Sequence, residues 1–350
     1  MKIAFRVDAS IDIGIGHLMR CLALSEALRK RGHHCSFLSK TSTPEVIQRI
    51  EKFHCDFHGI TPATTLSQDQ NTFIEYCHKN DIDWVVTDHY ALDLSYIKEI
   101  KHQGFHVLSI DDTAQMHYYS DIVVNQNIGA EKFIFSTEQY TTILRGPTYA
   151  MLRDELLQRG KKKHQSNVKK LLITLGGTDP ENDILRISQS IAEVTTNLEQ
   201  LLVIGPFNPH RAVLQSFAEK TDAPITLIQS PDNMADIYLQ ADLAISAGGS
   251  SCYELAYFGI PNLIVTIADN QLAIAHEFDR QHIGLYLGKK NEMQPEYLKD
   301  KLKELIENQL LRKRMSRNGQ KLVDGKGKER IVDCMEKIFL KKTDSDGVPL

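Results

Sequence analysis

His17 is the residue of this chain whose neighbours best suit it to move a proton. It follows the glycine-bearing turn Gly14-Ile15-Gly16 and opens a helical pattern over 17–31 that ends at Gly32. A turn after the first strand of an α/β domain lies at the carboxyl edge of the sheet, where ligands bind. The helix that follows points unpaired N–H groups and a partial positive charge at that edge. A positive dipole end disfavours imidazolium, so the position predicts a neutral ring near pH 7, competent as a general base. The same position suits a histidine that only starts a helix beside a flexible turn. The run alone leaves both readings open.

A second set of residues suits anion binding. Gly248-Gly249-Ser250-Ser251 leaves an apolar strand and opens a helix. Two glycines let a ligand approach the backbone, and helix N–H groups can hold a diphosphate without a metal. Glu254, one turn later, could accept hydrogen bonds from ribose hydroxyls. The alternative is a plain capping box, Ser251-x-x-Glu254. Gly176-Gly177-Thr178 repeats the design earlier in the chain. Asp88-His89-Tyr90 follows another apolar strand, and its other reading is that Asp88 caps the next helix while Tyr90 packs locally. Asp111 and Asp112 are neighbours, and neighbours on a strand point to opposite faces, so they cannot flank one bond as glycosidase carboxylates do. One is expected to face the ligand edge and the other to cap a turn. Asn270 and Gln271 carry amides able to read sugar hydroxyls, with Asp269 as an alternative helix cap.

These groups need sheets to position them. The first half alternates strand-like and helix-like segments: a strand over 2–7, another over 35–38, a helix over 44–52, strands at 84–86, 107–110 and 122–124, and a helix near 92–102. Leu18, Cys21, Leu22 and Leu28 form one apolar stripe on the first helix. The polar, lysine-rich stretch 158–170 reads as a linker, and the alternation then restarts with strands at 171–174, 201–204, 225–228, 243–246 and 262–265. Pro231 suits a first-turn proline. Helical patterns fill 270–281, 294–307 and 326–340. Apolar strands separated by helices argue for parallel sheets covered on both faces. The predicted fold class is α/β, with two doubly wound Rossmann-like domains facing across a cleft: 1–158, a linker 159–168, 169–342, and a frayed tail 343–350. Trp84, the lone tryptophan, sits in a strand and reads as core. There is no full G-x-G-x-x-G after the first strand, so a dinucleotide site is not supported.

Composition narrows the function classes. The net charge of −4 gives no support to nucleic-acid binding. No apolar run approaches the roughly 18–20 residues of a transmembrane helix, and Arg6 and Asp8 interrupt any signal-peptide pattern. The six cysteines form no C-x-x-C pair and fit free thiols in a reducing cytoplasm. The 14 histidines show no metal-ligand spacing. Neither a metal nor a cofactor is expected, and no motif sets an oligomeric state.

Several motifs in one order resemble a known family. They are Arg6-Val7-Asp8, Gly14-Ile15-Gly16-His17-Leu18-Met19-Arg20, Thr87-Asp88-His89-Tyr90, Ile110-Asp111-Asp112, Gly146-Pro147-Thr148-Tyr149-Ala150-Met151-Leu152-Arg153, Gly176-Gly177-Thr178-Asp179, Ser246-Ala247-Gly248-Gly249-Ser250 and Ala268-Asp269-Asn270-Gln271. Over nearly its whole length the chain resembles the UDP-2,4-diacetamido-2,4,6-trideoxy-β-L-altropyranose hydrolases of pseudaminic acid biosynthesis. Its second half is also similar to the peptidoglycan UDP-N-acetylglucosamine transferases, which share the nucleotide-binding half of the GT-B fold.

The resemblance implies hydrolysis of the anomeric C–O bond of a UDP-sugar with inversion, the UDP-sugar and water being the partners. It implies that His17 deprotonates the water. It puts Asp232-Asn233-Met234 near the uracil, Gly248, Gly249 and Ser250 at the diphosphate, Glu254 at the ribose, and Tyr90 and Gln271 at the sugar. Gly14, Gly16, Arg20, Asp88, Gly176, Gly177, Thr178 and Asn270 complete the expected substrate contacts. Three other readings stay open: a glycosyltransferase on the same fold, a non-catalytic UDP-sugar-binding protein, and a hydrolysing 2-epimerase.

Overall fold

A computed structural model describes residues 1–9, 14–62, 64–89, 91–162, 166–193, 197–205, 208–231 and 233–345. The chain divides into two compact units, one of residues 1–153 with 325–350 and the other of residues 154–324.

The first unit is built on a seven-stranded parallel sheet in the order β3-β2-β1-β4-β5-β7-β9. Its strands are β1 (Lys2–Val7), β2 (His34–Ser39), β3 (Asp56–Gly59), β4 (Trp84–Asp88), β5 (His106–Ile110), β7 (Ile122–Asn125) and β9 (Thr142–Arg145). β6 (His117–Tyr118) and β8 (Ser136–Thr137) form a separate short pair. The central strands are buried along their length, β4 and β5 at every residue. Such uninterrupted burial follows from helices on both faces. Trp84 is fully buried and stacks on His106, with ring centroids 4.9 Å apart.

The helices start where local chemistry permits. α1 (Gly16–Lys30) follows the glycine turn; α2 (Pro44–Lys52) begins on a proline; α3 (Leu66–Lys79) has a capping box between Thr65 and Gln68; α4 (Leu94–His102) is capped by Asp93. α1 is buried beyond the single expected stripe, because Ala23, Leu24, Ser25 and Ala27 are also inside. The cause is the last helix, α13 (Gly327–Ser345), which packs on α1. Lys328 of α13 is fully buried and pairs with Glu26 at 2.9 Å, and Arg31 pairs with Asp333 and Glu336. The motif Gly146–Arg153 seats the start of α13: a Cβ on Gly327 would collide with the backbone of Tyr149 and Ala150.

The second unit repeats the plan with six parallel strands in the order β12-β11-β10-β13-β14-β15. These are β10 (Lys170–Thr174), β11 (Glu199–Ile204), β12 (Ile225–Gln229), β13 (Leu243–Ala247), β14 (Asn262–Thr266) and β15 (Gly284–Lys289). The helices are α5 (Asp154–Gln158), α6 (Asp183–Ala192), α7 (Arg211–Lys220), α8 (Met234–Gln240), α9 (Ser251–Phe258), α10 (Leu272–Arg280), α11 (Pro295–Glu307) and α12 (Gln309–Leu322). In both sheets the order reverses beside the first strand, which is the arrangement of a Rossmann-like unit.

Three expectations are corrected. The first domain does not extend to 158, since α5 groups with the second unit, where it packs on α8. The second domain does not extend to 342, since α13 groups with the first. The expected tail is helical as far as Ser345, and 346–350 lie outside the described residues. The polar linker is also not loose throughout. Lys162 donates to Ala241 O and lies 3.0 Å from Asp242, while 163–165 lie outside the described residues. Pro231 precedes α8 without starting it, because Asn233 is the cap.

Candidate active site

Where the first sheet reverses its order, β1 and β4 lie side by side with Val7 in register with Asp88. A crevice outside the carboxyl ends of two such strands is the usual ligand position in open α/β sheets. Asp8 and Asp88 therefore both reach this edge. Gly14 adopts φ +76°, a left-handed conformation that a side chain would strain, and so turns the chain into α1. No side chain caps α1 at Ile15. His17 and Arg20 are three residues apart in its first turns and share a face.

That face meets Asp88. His17 Nδ1 lies 2.6 Å from Asp88 Oδ1. Arg20 grips the same carboxylate with both edges of its fork, Nε to Oδ2 at 2.6 Å and Nη2 to Oδ1 at 2.7 Å. Asp88 is 1% exposed, and burial alone would raise its pKa. The charge of Arg20, then His17 and the hydrogen bonds from both, outweigh burial and hold the carboxyl well below the usual range. An ionised carboxylate only accepts, so His17 donates Nδ1–H to it, and in the neutral ring the lone pair is then on Nε2. Arg20 Nη2 also comes within 3.1 Å of His17 Nδ1. It cannot donate there while Nδ1 carries the proton, and one of its two hydrogens goes to the closer carboxylate. The resulting tautomer is that of a histidine oriented by a carboxylate for proton abstraction.

The acidic pair at the end of β5 separates by role. Asp111 caps a turn, accepting from the backbone N–H of Thr113 at 2.8 Å and Ala114 at 2.6 Å. Asp112 joins the His17 network, with both oxygens 3.0 Å from Arg20 Nη1. Asn127 donates to Asp112 Oδ1 at 2.8 Å. Asp88 does not cap α4, because Asp93 accepts the Tyr96 N–H at 2.9 Å.

Beside this network lies a second one, built on Arg6, Asp8 and His89, which lie in two of the motifs but carry no assigned role there. Arg6 is 1% exposed and is forked between Asp8 and Asp69. Asp8 also accepts from Ser39 Oγ at 2.8 Å and Lys40 N at 2.7 Å, and pairs with His89 Nε2 at 2.9 Å. His89 Nδ1 accepts the Ala91 N–H at 2.9 Å. Burial opposes ionisation of Asp8, but His89 and Arg6 overcome it and hold the carboxyl far below its ordinary value. The signal for this cluster was visible as two charges, Arg6 and Asp8, in an otherwise apolar strand.

In the second unit the order reverses between β10 and β13. Gly176-Gly177-Thr178 follows one strand and Gly248-Gly249-Ser250 the other. Gly176 has φ +94°, and Gly177 packs so closely on Gly205 that a Cβ there would lie 2.4 Å from its Cα. Asp179 accepts from Asp183 N and Ile184 N, which starts α6. α9 begins after Ser250 with no side-chain cap, so the capping box Ser251-x-x-Glu254 does not form. Glu254, in the first turn of α9, accepts from Tyr238 OH at 2.5 Å.

Gln271 Oε1 accepts from the backbone N–H of Gly248 and Ile267, each at 3.1 Å. Its amide oxygen is thus spent shaping the glycine loop. Gly248 is closely packed, and a Cβ would sit 3.0 Å from that of Gln271, so a side chain would press on the residue that braces the loop. Met234 is half-buried at the start of α8, Gly16 is exposed, and Asn270 is exposed in a short 3-10 turn. Tyr90 and Asp232 lie outside the described residues. Among the described residues, no group of three or more His, Cys, Asp and Glu side chains is arranged to hold a metal, and no helix is long and apolar enough to cross a membrane.

Comparison with known proteins agrees with this architecture. Residues 171–331 match the glycosyltransferase family 28 C-terminal domain. The chain is 26% identical to the spore coat polysaccharide biosynthesis protein SpsG of Bacillus subtilis, over 97% of this chain and 99% of that protein. It is 24% identical to the UDP-2,4-diacetamido-2,4,6-trideoxy-β-L-altropyranose hydrolase of Campylobacter jejuni, over 83% of this chain and 97% of that enzyme. Among solved structures it is similar to MurG of Acinetobacter baumannii, with TM-score 0.70 and 16% identity over 96% of this chain and all of that one. The fold is GT-B-like, made of two Rossmann-like α/β units. The match at 171–331 covers most of the second unit and includes the Gly248 loop, whereas the His17 network lies wholly in the first.

Proposed function

We propose that this protein is a UDP-sugar hydrolase that breaks the anomeric C–O bond with inversion, and that its substrate is UDP-2,4-diacetamido-2,4,6-trideoxy-β-L-altropyranose. The observation that carries the reaction type is the His17–Asp88 pair at 2.6 Å, which turns Nδ1 to the carboxylate and leaves Nε2 of the neutral ring to act as the base. In this reading His17 takes a proton from water as the water attacks the anomeric carbon. Positioned proton transfer of this kind contributes roughly 10²–10⁴-fold to a rate. The leaving UDP needs little else, because a diphosphate departs readily once its charge is held.

The holding falls to the second unit. The Gly248-Gly249-Ser250 turn and the uncapped start of α9 offer backbone N–H groups to a diphosphate. Glu254 takes the ribose hydroxyls, Met234 lies by the uracil, and Gly176, Gly177, Thr178 and Asn270 line the ligand. Tyr90 meets the sugar. Gln271 serves by fixing the glycine loop through Gly248. The relative from Campylobacter jejuni, whose name states this activity, supports the choice of sugar.

A glycosyltransferase is the second reading, favoured by the family 28 match over 171–331. There His17 would deprotonate an acceptor hydroxyl in place of water. Proton NMR of the protein with the proposed UDP-sugar, without acceptor or metal, separates the two. Free sugar appearing first as the opposite anomer, together with UDP, supports the hydrolase. An unchanged spectrum rejects it.

A further inference from the structure

We infer that Arg20 is not a substrate ligand but a positioning residue, held by Asp112 and Asn127, that sets the tautomer of His17. The inference rests on reading His17 as the base. Arg20 is 7% exposed, and each of its three nitrogens already donates to a carboxylate. Nε and Nη2 go to the two oxygens of Asp88, and Nη1 goes to Asp112. A ligand would have to displace one of these charge-assisted bonds, which are the strong kind.

The contact between Arg20 Nη2 and His17 Nδ1, at 3.1 Å, shows why the fork matters. Two donors compete around one ring nitrogen. While Asp88 is charged, it accepts Nδ1–H from the ring and one of the two Nη2 hydrogens of Arg20, and the neutral imidazole has its lone pair on Nε2. Were Asp88 to take up a proton, as burial favours, it would accept less well. Arg20 would then donate to Nδ1, the ring proton would move to Nε2, and the base would be lost.

Arg20 therefore acts by keeping Asp88 ionised, so that this carboxylate stays the acceptor of Nδ1–H. Asp112 fixes the rotation of the fork, and Asn127 fixes Asp112 through the 2.8 Å bond to Oδ1. A lysine cannot reproduce this, because an ammonium is a point charge that does not span two carboxylates in a planar fork.

Steady-state kinetics with the proposed UDP-sugar test the inference on Arg20→Lys and on Asp112→Asn. The second variant keeps shape and leaves Arg20 on Asp88, so it guards against a folding failure in the first. The expected result is a kcat about 10–100-fold lower for Arg20→Lys, and a smaller loss for Asp112→Asn, the range seen when groups orienting a functional histidine are removed. KM is expected to stay within about threefold in both, as for an interaction that does not bind the ground state. A raised KM with kcat intact would make Arg20 a substrate ligand and overturn the inference. Unchanged kcat and KM would overturn it too.

If the wild-type protein releases no sugar, the hydrolase reading fails, and the imidazole tautomer decides the inference by itself. In protein labelled with ¹⁵N-histidine, the His17 signals are identified by their loss in His17→Gln. Nδ1–H in the wild type and a mixed or Nε2–H ring in Arg20→Lys support the inference. The same tautomer in both, or Nε2–H in the wild type, overturns it.

Discussion

Two histidine–aspartate–arginine clusters stand at the ends of β1 and β4, built from the same residue types and turned to different ends. In the cluster around Asp8, His89 spends Nε2 on the carboxylate and Nδ1 on the Ala91 N–H. Both ring nitrogens are committed, and Asp8 gathers further donors from Arg6, Ser39 and Lys40. In the cluster around Asp88 the ring is reversed: Nδ1, not Nε2, meets the carboxylate, at 2.6 Å. Residue type alone does not separate a staple from a base. The nitrogen that faces the carboxylate, and what the other one does, separates them.

The comparison breaks first on activity. His17→Ala is expected to lower turnover of the UDP-sugar by roughly 10³-fold, within the range for a lost general base, with UDP affinity by calorimetry little changed. His89→Ala is expected to cost less than about tenfold. Equal losses in the two variants would erase the distinction.

Stability sharpens it next. Arg6→Met removes the guanidinium shared by two buried carboxylates, leaving, among the described residues, Asp69 only Lys40 and Asp8 only His89 as side-chain ion-pair partners, and breaking a buried pair in this way costs about 3–5 kcal/mol. Urea unfolding measures it, and a loss below about 1 kcal/mol would mean that the Asp8 cluster is no staple.

The same cluster has a pH signature. The folded pKa of Asp8 is depressed, against burial, by His89 and Arg6. A depressed carboxylate contributes stability that is fully present above its unfolded value of about 3.9 and is lost as pH falls through the folded value. The wild-type protein should therefore exceed Asp8→Asn most at neutral pH, with the gap narrowing below about pH 4. A gap that is constant from pH 7 to pH 3, by denaturant unfolding, would contradict the assignment. The smallest expected effect is that of Ser39→Ala, which removes one neutral donor from Asp8 and costs about 1 kcal/mol, with turnover unchanged.

The strand cores were the most legible part of the fold, because a parallel sheet buried on both faces leaves uninterrupted apolar runs such as Trp84-Val85-Val86. α12 was not legible. Its sequence is largely polar, and it packs through Met315, Ser316 and Gly319, the last of which has almost no room beside Ala256. β15 was missed because glycines at both ends and a register shift against β14 blur its pattern. α13 was read as a helix, but no local feature told that it returns to the first unit.

At the site, the glycine turn and His17 announced themselves. Asp88 and Asp112 are candidates in the sequence, but their pairing with Arg20 was not legible, because it spans 68 and 92 residues. Strand alternation required Asp111 and Asp112 to diverge, yet only the turn at Thr113 and Ala114 decided which one caps. The amide of Gln271 points to a sugar contact, and the fold shows a further use for it, since its oxygen braces Gly248.

The most direct test of the central claim is turnover of the UDP-sugar in H₂¹⁸O by the wild-type protein and by His17→Ala, with UDP examined by mass spectrometry. If His17 activates water toward the anomeric carbon, the wild-type protein releases UDP that carries no ¹⁸O, and His17→Ala releases almost none. Label in the β-phosphate of UDP, or undiminished release by His17→Ala, would contradict it.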